Sequence, residues 1–305
     1  MSPHLLAYLL LAASPFFFSS NIIIGSIAVR SIEPFTLTFF RWGLAFLIIL
    51  PMAWRAMANH RHLLMAQWKL ISLNAFLAMG LCGTGVYWAL KNTSATNGTL
   101  IYTAAPVIII LMEWLFRGRA ISLREILGII AAICGILFII FKGSLTAMMA
   151  VQFNSGDLLF VIAATAWAIY SVLWKNEALR PVPTVGMFAI VALIGAVIQV
   201  PFMIWELGTT GAFPTTQDQW ASLMGLAFIS SVLAFISYQF GIKTLGPATA
   251  GIFMYFMPPV GVVLAVVFLG EQFHTFHMVG LVLVLSGVIM ATFPARQLFR
   301  KAQQA

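Results

Sequence analysis

Apolar residues are gathered into long runs that short polar breaks separate, and this pattern extends over nearly the whole chain. A helix needs about 20 apolar residues to cross the hydrocarbon core of a bilayer. Runs of about that length cover residues 5–29, 35–54, 68–90, 96–116, 123–141, 157–175, 182–205, 220–242, 248–269 and 275–294. The pattern predicts an all-α integral membrane protein with ten transmembrane helices.

The composition supports this prediction. Hydrophobic residues make up 62% of the 305 residues and charged residues only 8%, whereas soluble domains carry about 25% charged residues. Lipid must therefore replace water around most of the surface, so the lipid bilayer is the first predicted partner of the chain. Ten spans would use about 200 residues, which leaves no room for a sizeable domain outside the membrane.

The net charge of +8 does not indicate a nucleic-acid partner, because the basic residues lie singly between apolar runs. Cytoplasmic loops of membrane proteins carry an excess of Lys and Arg. If the N-terminus is cytoplasmic, twelve basic residues fall on the cytoplasmic side and four on the outer side, namely Arg30, Arg41, Lys91 and Lys142. This distribution predicts a multi-pass protein of the cell (inner) membrane with both termini in the cytoplasm.

The two halves of the chain resemble each other at an offset of 152 positions. The pairs in that register are Lys91 and Lys243, Pro106 and Pro258, Gly128 and Gly280, and Gly135 and Gly287. Five spans per half would place the halves in opposite orientations, and such inverted repeats recur in secondary transporters. We therefore predict a first five-helix repeat at 1–145, a second at 150–295 and a short basic cytoplasmic tail at 296–305. The glycines predict close helix contacts, between the two halves or between protomers.

Several segments resemble those of a known family. They are Glu33–Arg41, Ala95–Gly98, Ala105–Val107, Gly156–Leu159, Ala166–Ala168, Ala248–Gly251, Pro258–Val260 and Leu269–Glu271. Their order and spacing resemble the EamA-like branch of the drug/metabolite transporter superfamily. Within it, the chain is most similar to aromatic amino acid exporters of the YddG type. The resemblance implies ten helices around a central cavity and export of metabolites such as amino acids.

Polar and aromatic side chains recur at helical spacing inside six of the runs. We predict that those lining the cavity bind substrate: Asn21, Thr84, Tyr87, Tyr102, Trp167, Tyr170, Tyr238, Gln239 and Tyr255. Prolines inside helices free backbone carbonyls that need other partners. Pro15, Pro106 and Pro258 are therefore the predicted gating or hinge residues. For any one of these residues, ordinary packing between helices is the alternative interpretation.

No ionisable residue is expected at the centre of a span, so the cavity is predicted to be uncharged. The five histidines lie near the ends of runs or between them, where interfacial positions explain them. Two of these, His274 and His277, share a helical face but are too few for a closed metal site. We therefore predict no metal, no cofactor and no catalytic residue. A conventional proton relay has no visible carrier, so the energy coupling stays open.

The sequence favours a secondary transporter that exports small neutral metabolites by alternating access through an uncharged, aromatic-lined cavity. Amino acids, aromatic ones included, are the leading substrates. One alternative is an efflux transporter for drugs or lipophilic cations, which would use the aromatic residues alone. A second is a membrane-embedded enzyme, which would need ionisable core residues. A channel would show a ring of polar or charged side chains. The sequence leaves the exact substrate and the oligomeric state undetermined.

Overall fold

The computed structural model is predominantly helical, and the residues that it describes form no strand. These are residues 2–103, 105, 107, 108, 111, 114, 115, 121–144, 146, 154–174, 177–179, 181–211, 213–245, 253, 254 and 256–292. For residues 171, 172, 174, 177, 239, 242, 243, 291 and 292 the description is limited to the backbone.

The helices are named here in chain order. They are α1 (Pro3–Ala28), α2 (Pro34–Asn59), α3 (Arg61–Ala66), α4 (Trp68–Leu90), α5 (Ala95–Tyr102), α6 (Leu123–Ile140), α7 (Ser155–Trp174), α8 (Thr184–Thr210), α9 (Gln217–Leu245), α10 (Met257–Leu269) and α11 (Thr275–Thr292). A single 3₁₀ turn, Glu177–Leu179, precedes α8.

Local signals in the sequence account for several helix ends. Ser94 and Ser122 accept hydrogen bonds from backbone N–H groups at the starts of α5 and α6, which satisfies donors that a helix leaves unpaired. Thr216 does the same for α9. Gly211 and Gly270, both with positive φ, end α8 and α10, as glycine commonly does because it has no Cβ to clash.

Six of the described helices are long and apolar enough to cross a membrane: α1, α2, α4, α6, α8 and the Gln217–Tyr238 part of α9. Shorter apolar helices lie at Ser155–Tyr170, Met257–Leu269 and Thr275–Met290. The predicted fourth run, 96–116, is described only in part.

Two polar breaks of the predicted pattern are helical. The α2 helix continues to Asn59 and α3 follows it, so most of the break at 55–67 is helix. The α8 helix runs on to Thr210 and buries Glu206, which the sequence placed in an exposed loop. Apolar runs mark the part of a helix in the membrane, whereas backbone hydrogen bonding continues beyond it.

Two of the long helices contain a π-helical stretch. In α4 the stretch is Phe76–Thr84, and in α9 it is Phe228–Leu233. The two stretches begin 152 positions apart, from 76 to 228, which is the offset of the internal sequence similarity. Stretches of π-helix inside α-helices occur frequently at functional sites.

Helices from the two halves of the chain pack against each other. The α2 helix packs on α8, and α6 packs on α11. The α1 helix packs on α9 and α10, while α7 packs on α4 and α5. A Cβ added to Gly287 would lie 2.5 Å from the backbone nitrogen of Ala132, so the backbones of α11 and α6 touch. The predicted glycine contact therefore joins the two halves of one chain.

Candidate functional site

Arg41 is buried inside the helix bundle. It lies seven residues after the start of α2, about 10 Å along the axis, and is 4% exposed. Its Nε donates to Ser231 Oγ (2.9 Å), its Nη1 to Tyr87 Oη (2.7 Å) and its Nη2 to the Ser230 carbonyl (3.4 Å). The prediction that the interior is uncharged is therefore wrong, whereas the side of the membrane on which Arg41 lies stays a prediction. Arg41 is flanked by apolar residues, so it hardly interrupts the apolar run at 35–54. The hydrophobic pattern therefore did not indicate that its side chain is buried.

Two predicted site residues belong to the same cluster. Tyr87 is fully buried on α4, and its hydroxyl donates to Asn21 Oδ1 on α1 (2.9 Å). The tyrosine oxygen thus accepts from Arg41 while its hydrogen goes to Asn21. These bonds connect α2, α4 and α1 through one tyrosine hydroxyl.

The π-helical stretch of α9 supplies the remaining polar atoms. Ser231 Oγ accepts from Arg41 and donates to the Leu226 carbonyl (2.9 Å), and Ser230 Oγ lies 2.8 Å from Ser20 Oγ. Neither serine is among the predicted site residues. A Ser-Ser pair inside an apolar run was the signal that could have found them.

The guanidinium also contacts an aromatic ring. Arg41 Cζ lies 4.3 Å from the ring centroid of Trp42, a cation–π distance. Trp42 is buried, and its indole N–H has no hydrogen-bond partner among the described residues. We call the set formed by Asn21, Arg41, Trp42, Tyr87, Ser230 and Ser231 the Arg41 cluster.

Three other predicted residues form an aromatic cluster. The rings of Tyr102 on α5 and Trp167 on α7 are 6.5 Å apart, and those of Trp167 and Tyr170 are 5.1 Å apart. Trp167 and Tyr170 lie on α7, which packs on α5 and on α4, the helix that carries Tyr87 of the Arg41 cluster. The aromatic cluster offers apolar rings, whereas the Arg41 cluster offers polar donors.

Tyr238 and Thr84 lie in other surroundings. Tyr238 makes an edge contact with Phe18, with ring centroids 6.0 Å apart. Thr84 Oγ1 lies 3.0 Å from Thr38 Oγ1 and 3.1 Å from Gln199 Oε1. Thr84 therefore links α4 to α2 and α8, an arrangement that packing explains. Tyr255 and the side chain of Gln239 lie outside the described residues.

The prolines differ in what they do to the backbone. Pro15 lies inside α1, and the carbonyl of Leu11 that it leaves free accepts from Ser14 Oγ (2.8 Å). That carbonyl needs no substrate partner. Pro258 lies in the first turn of α10, where proline costs no backbone hydrogen bond. Pro106 lies outside the described residues.

A second buried polar set joins α5, α7 and α11. The backbone N–H of His274 donates to Nδ1 of His277 (3.1 Å), so Nε2 carries the hydrogen and donates to Asn97 Oδ1 (3.0 Å). Asn97 Nδ2 reaches Asp157 Oδ1 at 3.4 Å, and Thr93 donates to the same oxygen. We call His277, Asn97, Asp157 and Thr93 the His277 chain. His277 is buried, and it lies near the start of α11, close to a helix end as predicted.

Two glutamates accept hydrogen bonds from backbone N–H groups at the N-termini of other helices. Glu206 of α8 accepts from the backbone N–H groups of Phe35 (3.0 Å) and Thr36 (2.8 Å) at the start of α2. Glu271 accepts from Ala95 (2.8 Å) and Thr96 (2.9 Å) at the start of α5. Carboxylates suit this position because the N–H groups there are unpaired and the helix dipole is positive. Within the described part of the chain, no group of three His, Cys, Asp or Glu residues is placed to hold a metal.

Comparison with known proteins identifies similar transporters. The profile described as "EamA-like transporter family" matches residues 5–141 and 154–293. An uncharacterized transporter of Archaeoglobus fulgidus is 25% identical over 295 residues, covering 95% of this chain and 98% of that protein. The uncharacterized transporter YetK of Bacillus subtilis is 22% identical over 293 residues, covering 95% and 88%.

Two further proteins are similar to this chain, one by sequence and one by structure. A probable terminal-alkyne amino-acid exporter of Streptantibioticus cattleyicolor is 25% identical over 204 residues, 67% of this chain and 66% of that protein. A crystal structure aligns with a TM-score of 0.64 at 18% identity and covers 96% of this chain and 98% of that one. At this identity, the likeness to the crystal structure shows the fold alone.

Proposed function

Since this chain belongs to the EamA-like transporter family, we propose that it is a secondary transporter that exports small neutral metabolites. Amino acids, aromatic ones included, are the leading substrates. The chain is a multi-pass membrane transporter and not an enzyme. Its substrate class and its mechanism are the parts that we propose.

The aromatic cluster is the observation that carries the proposal. Tyr102 comes from the first matched region, and Trp167 and Tyr170 come from the second. In transporters built from inverted repeats, substrates bind where the repeats meet. Tilted rings at such a place would bind apolar and aromatic side chains, because aromatic rings bury a large apolar area.

Three observations support two inverted five-helix repeats that alternate access to this site. The family profile matches the chain in two regions. The π-helical stretches of α4 and α9 begin at equivalent positions of the internal repeat. Helix packing is also reciprocal, since α1 packs on α9 and α10 as α7 packs on α4 and α5. In this scheme Pro15, Pro106 and Pro258 are the proposed hinge points.

Two observations support the proposed substrate class: the name of one relative and the buried charge of Arg41. A relative over two thirds of the chain is named a probable amino-acid exporter. The buried positive charge of Arg41 disfavours the alternative of lipophilic cation efflux, because a like charge would be repelled in a low-dielectric interior.

Counterflow in proteoliposomes tests the proposal. Purified protein is reconstituted with unlabelled amino acids inside, and uptake of labelled leucine, phenylalanine or a lipophilic cation is followed. We expect saturable uptake of the neutral amino acids. Trp167→Ala should reduce phenylalanine uptake about tenfold, the loss expected for an aromatic contact in a buried site. Trp205→Ala, at a side chain that is 59% exposed, is the control. Uptake of the cation but of no neutral amino acid would contradict the proposal.

The proposed topology has a separate test. We place both termini in the cytoplasm of a cell with an inner membrane, because the basic residues then follow the positive-inside rule. An enzyme that is active only outside the cytoplasm, fused after residue 305, should stay inactive. Activity of that fusion would contradict the even number of spans.

A further inference from the structure

The Arg41 cluster contains hydrogen-bond donors that the protein leaves unused. A guanidinium has five N–H donors, and Arg41 uses three of them within the described residues. The Oδ1 atom of Asn21 accepts from Tyr87, but no described residue accepts from its Nδ2 amide. The indole N–H of Trp42 is also unpaired and buried. The atoms left over are therefore donors.

Among the described residues, no side chain of opposite charge forms an ion pair with Arg41. In the described part of the chain, the ion pair between Lys91 and Glu33 is the one salt bridge. Among the acidic residues whose side chains are described, each is engaged at or near a helix N-terminus: Glu33, Glu125, Asp157, Glu206, Asp218 and Glu271. None of these carboxylates contacts Arg41.

A purely structural role for Arg41 explains only part of this arrangement. Its bonds to Tyr87 and Ser231 do connect α2 to α4 and α9. A neutral side chain such as glutamine would make such bonds without a buried charge, however, and burying an unpaired ion is costly. Charged residues kept inside membrane proteins commonly serve function for this reason.

We propose that Arg41 and Asn21 bind the carboxylate of the transported substrate. This inference rests on the proposed function and adds the substrate class, which is metabolites with a free carboxylate. A carboxylate offers acceptors only and carries the missing negative charge, and arginine binds it through two N–H groups. Tyr87 is a positioning residue, because its hydroxyl accepts from Arg41 and donates to Asn21.

Selectivity among analogues of one amino acid follows directly. Phenylalanine and its amide or methyl ester present the same ring, but the analogues lack the negative charge and one or both carboxylate oxygens. With wild-type protein, we expect phenylalanine to compete with labelled leucine for uptake at least about tenfold better than phenylalaninamide or the ester. That factor corresponds to one charge-assisted hydrogen bond. This comparison needs no variant that could fail to fold.

Substitutions at Asn21 and Arg41 test whether the Arg41 cluster causes the preference for phenylalanine over its amide. Asn21→Asp keeps the size of the side chain but places a carboxylate beside the Tyr87 hydroxyl, where it competes for the charge of Arg41. Arg41→Gln removes that charge. Both variants should bring phenylalanine and its amide to within about twofold of each other. Arg41→Lys should retain part of the difference, because ammonium keeps the charge but not the forked geometry. Lys91→Gln, at an exposed ion pair, is the control with one positive charge fewer.

The outcomes separate this inference from the proposed function. If no neutral amino acid is transported at all, the proposed function fails. If leucine is transported and phenylalaninamide competes as well as phenylalanine, the carboxylate site is overturned while the transporter stands. Preference for the carboxylate that survives Arg41→Gln in correctly folded protein would also overturn the assignment to Arg41.

Discussion

The Arg41 cluster and the His277 chain are both buried polar sets between helices, yet they balance their charge differently. In the His277 chain the acid is Asp157, which lies in the first turn of α7. There the helix dipole and the hydroxyl of Thr93 stabilise the carboxylate, although Asp157 Oδ2 has no hydrogen-bond partner among the described residues. Arg41 lies about two turns inside α2, and the nearer helix end is the positive N-terminus, so neither end of the helix compensates its charge.

Polar groups that stabilise the fold differ from polar groups that could bind a ligand in whether other protein groups satisfy them. The described carboxylates serve helix ends, as Glu206 does for α2 and Glu271 for α5. Both carboxylate oxygens of Glu206 and of Glu271 accept hydrogen bonds from the protein. Arg41 has hydrogen bonds but no opposite charge within the described residues. Substitutions in the two kinds of site should therefore affect different measurements.

The largest effect on stability is expected at Glu206. Changing it to Ala removes the acceptor for two backbone N–H groups and the Thr36 hydroxyl. Because unpaired buried donors cost about 1–3 kcal/mol each, unfolding should become easier by about 3 kcal/mol or more. Thermal unfolding in detergent measures this, with Glu33→Gln as the exposed control at below about 1 kcal/mol. Equal losses in both variants would contradict the role of Glu206 at α2.

Breaking the His277 chain should have the next largest effect. His277→Ala removes the bond from α11 to Asn97 on α5, so about 1–2 kcal/mol of stability should be lost. The relative uptake of phenylalanine and phenylalaninamide should not change, because no residue of the His277 chain is among the predicted substrate-binding residues. A change in that ratio, measured by competition against labelled leucine, would mean that the His277 chain also contacts substrate.

Tyr87→Phe should have a smaller effect that appears in transport. The ring stays, but the hydroxyl that positions Arg41 and Asn21 is lost. We expect about 1 kcal/mol weaker binding of carboxylate substrates, the worth of one hydrogen bond, seen as a higher KM with similar kcat. A similar KM increase for phenylalaninamide would argue against a positioning role.

The smallest effect is expected at Tyr238. Its ring packs edge-on against Phe18, and Tyr238→Phe keeps that contact. Uptake of phenylalanine should stay within about twofold of wild type, or about 0.4 kcal/mol, because the substitution removes only a hydroxyl that makes no hydrogen bond to the described residues. A loss of tenfold would show that the substrate site extends to α9 beyond the serines.

The sequence predicted the helical membrane protein because burial in lipid requires long apolar runs, and it paired Asn21 with Tyr87 in one site through their helical stripes. It could not predict the position of Arg41, since topology rules treat a basic residue near the end of a run as a loop residue. The role of Glu206 was equally hidden, because it serves a helix that starts 172 positions earlier, at Pro34. Contacts between distant segments decide both roles.

The most direct test of the account is the melting temperature of purified wild-type and Arg41→Gln protein, each with and without saturating phenylalanine. If Arg41 binds the substrate carboxylate, the melting temperature of the variant without ligand should lie within about 2 °C of the wild-type value or above it. The reason is that replacing a buried charge is often neutral or stabilising. Phenylalanine at about 100 times its Kd should add about 2.7 kcal/mol to wild type and little to the variant at the same concentration. A variant that melts far below wild type without ligand, yet is stabilised equally by phenylalanine, would contradict the account.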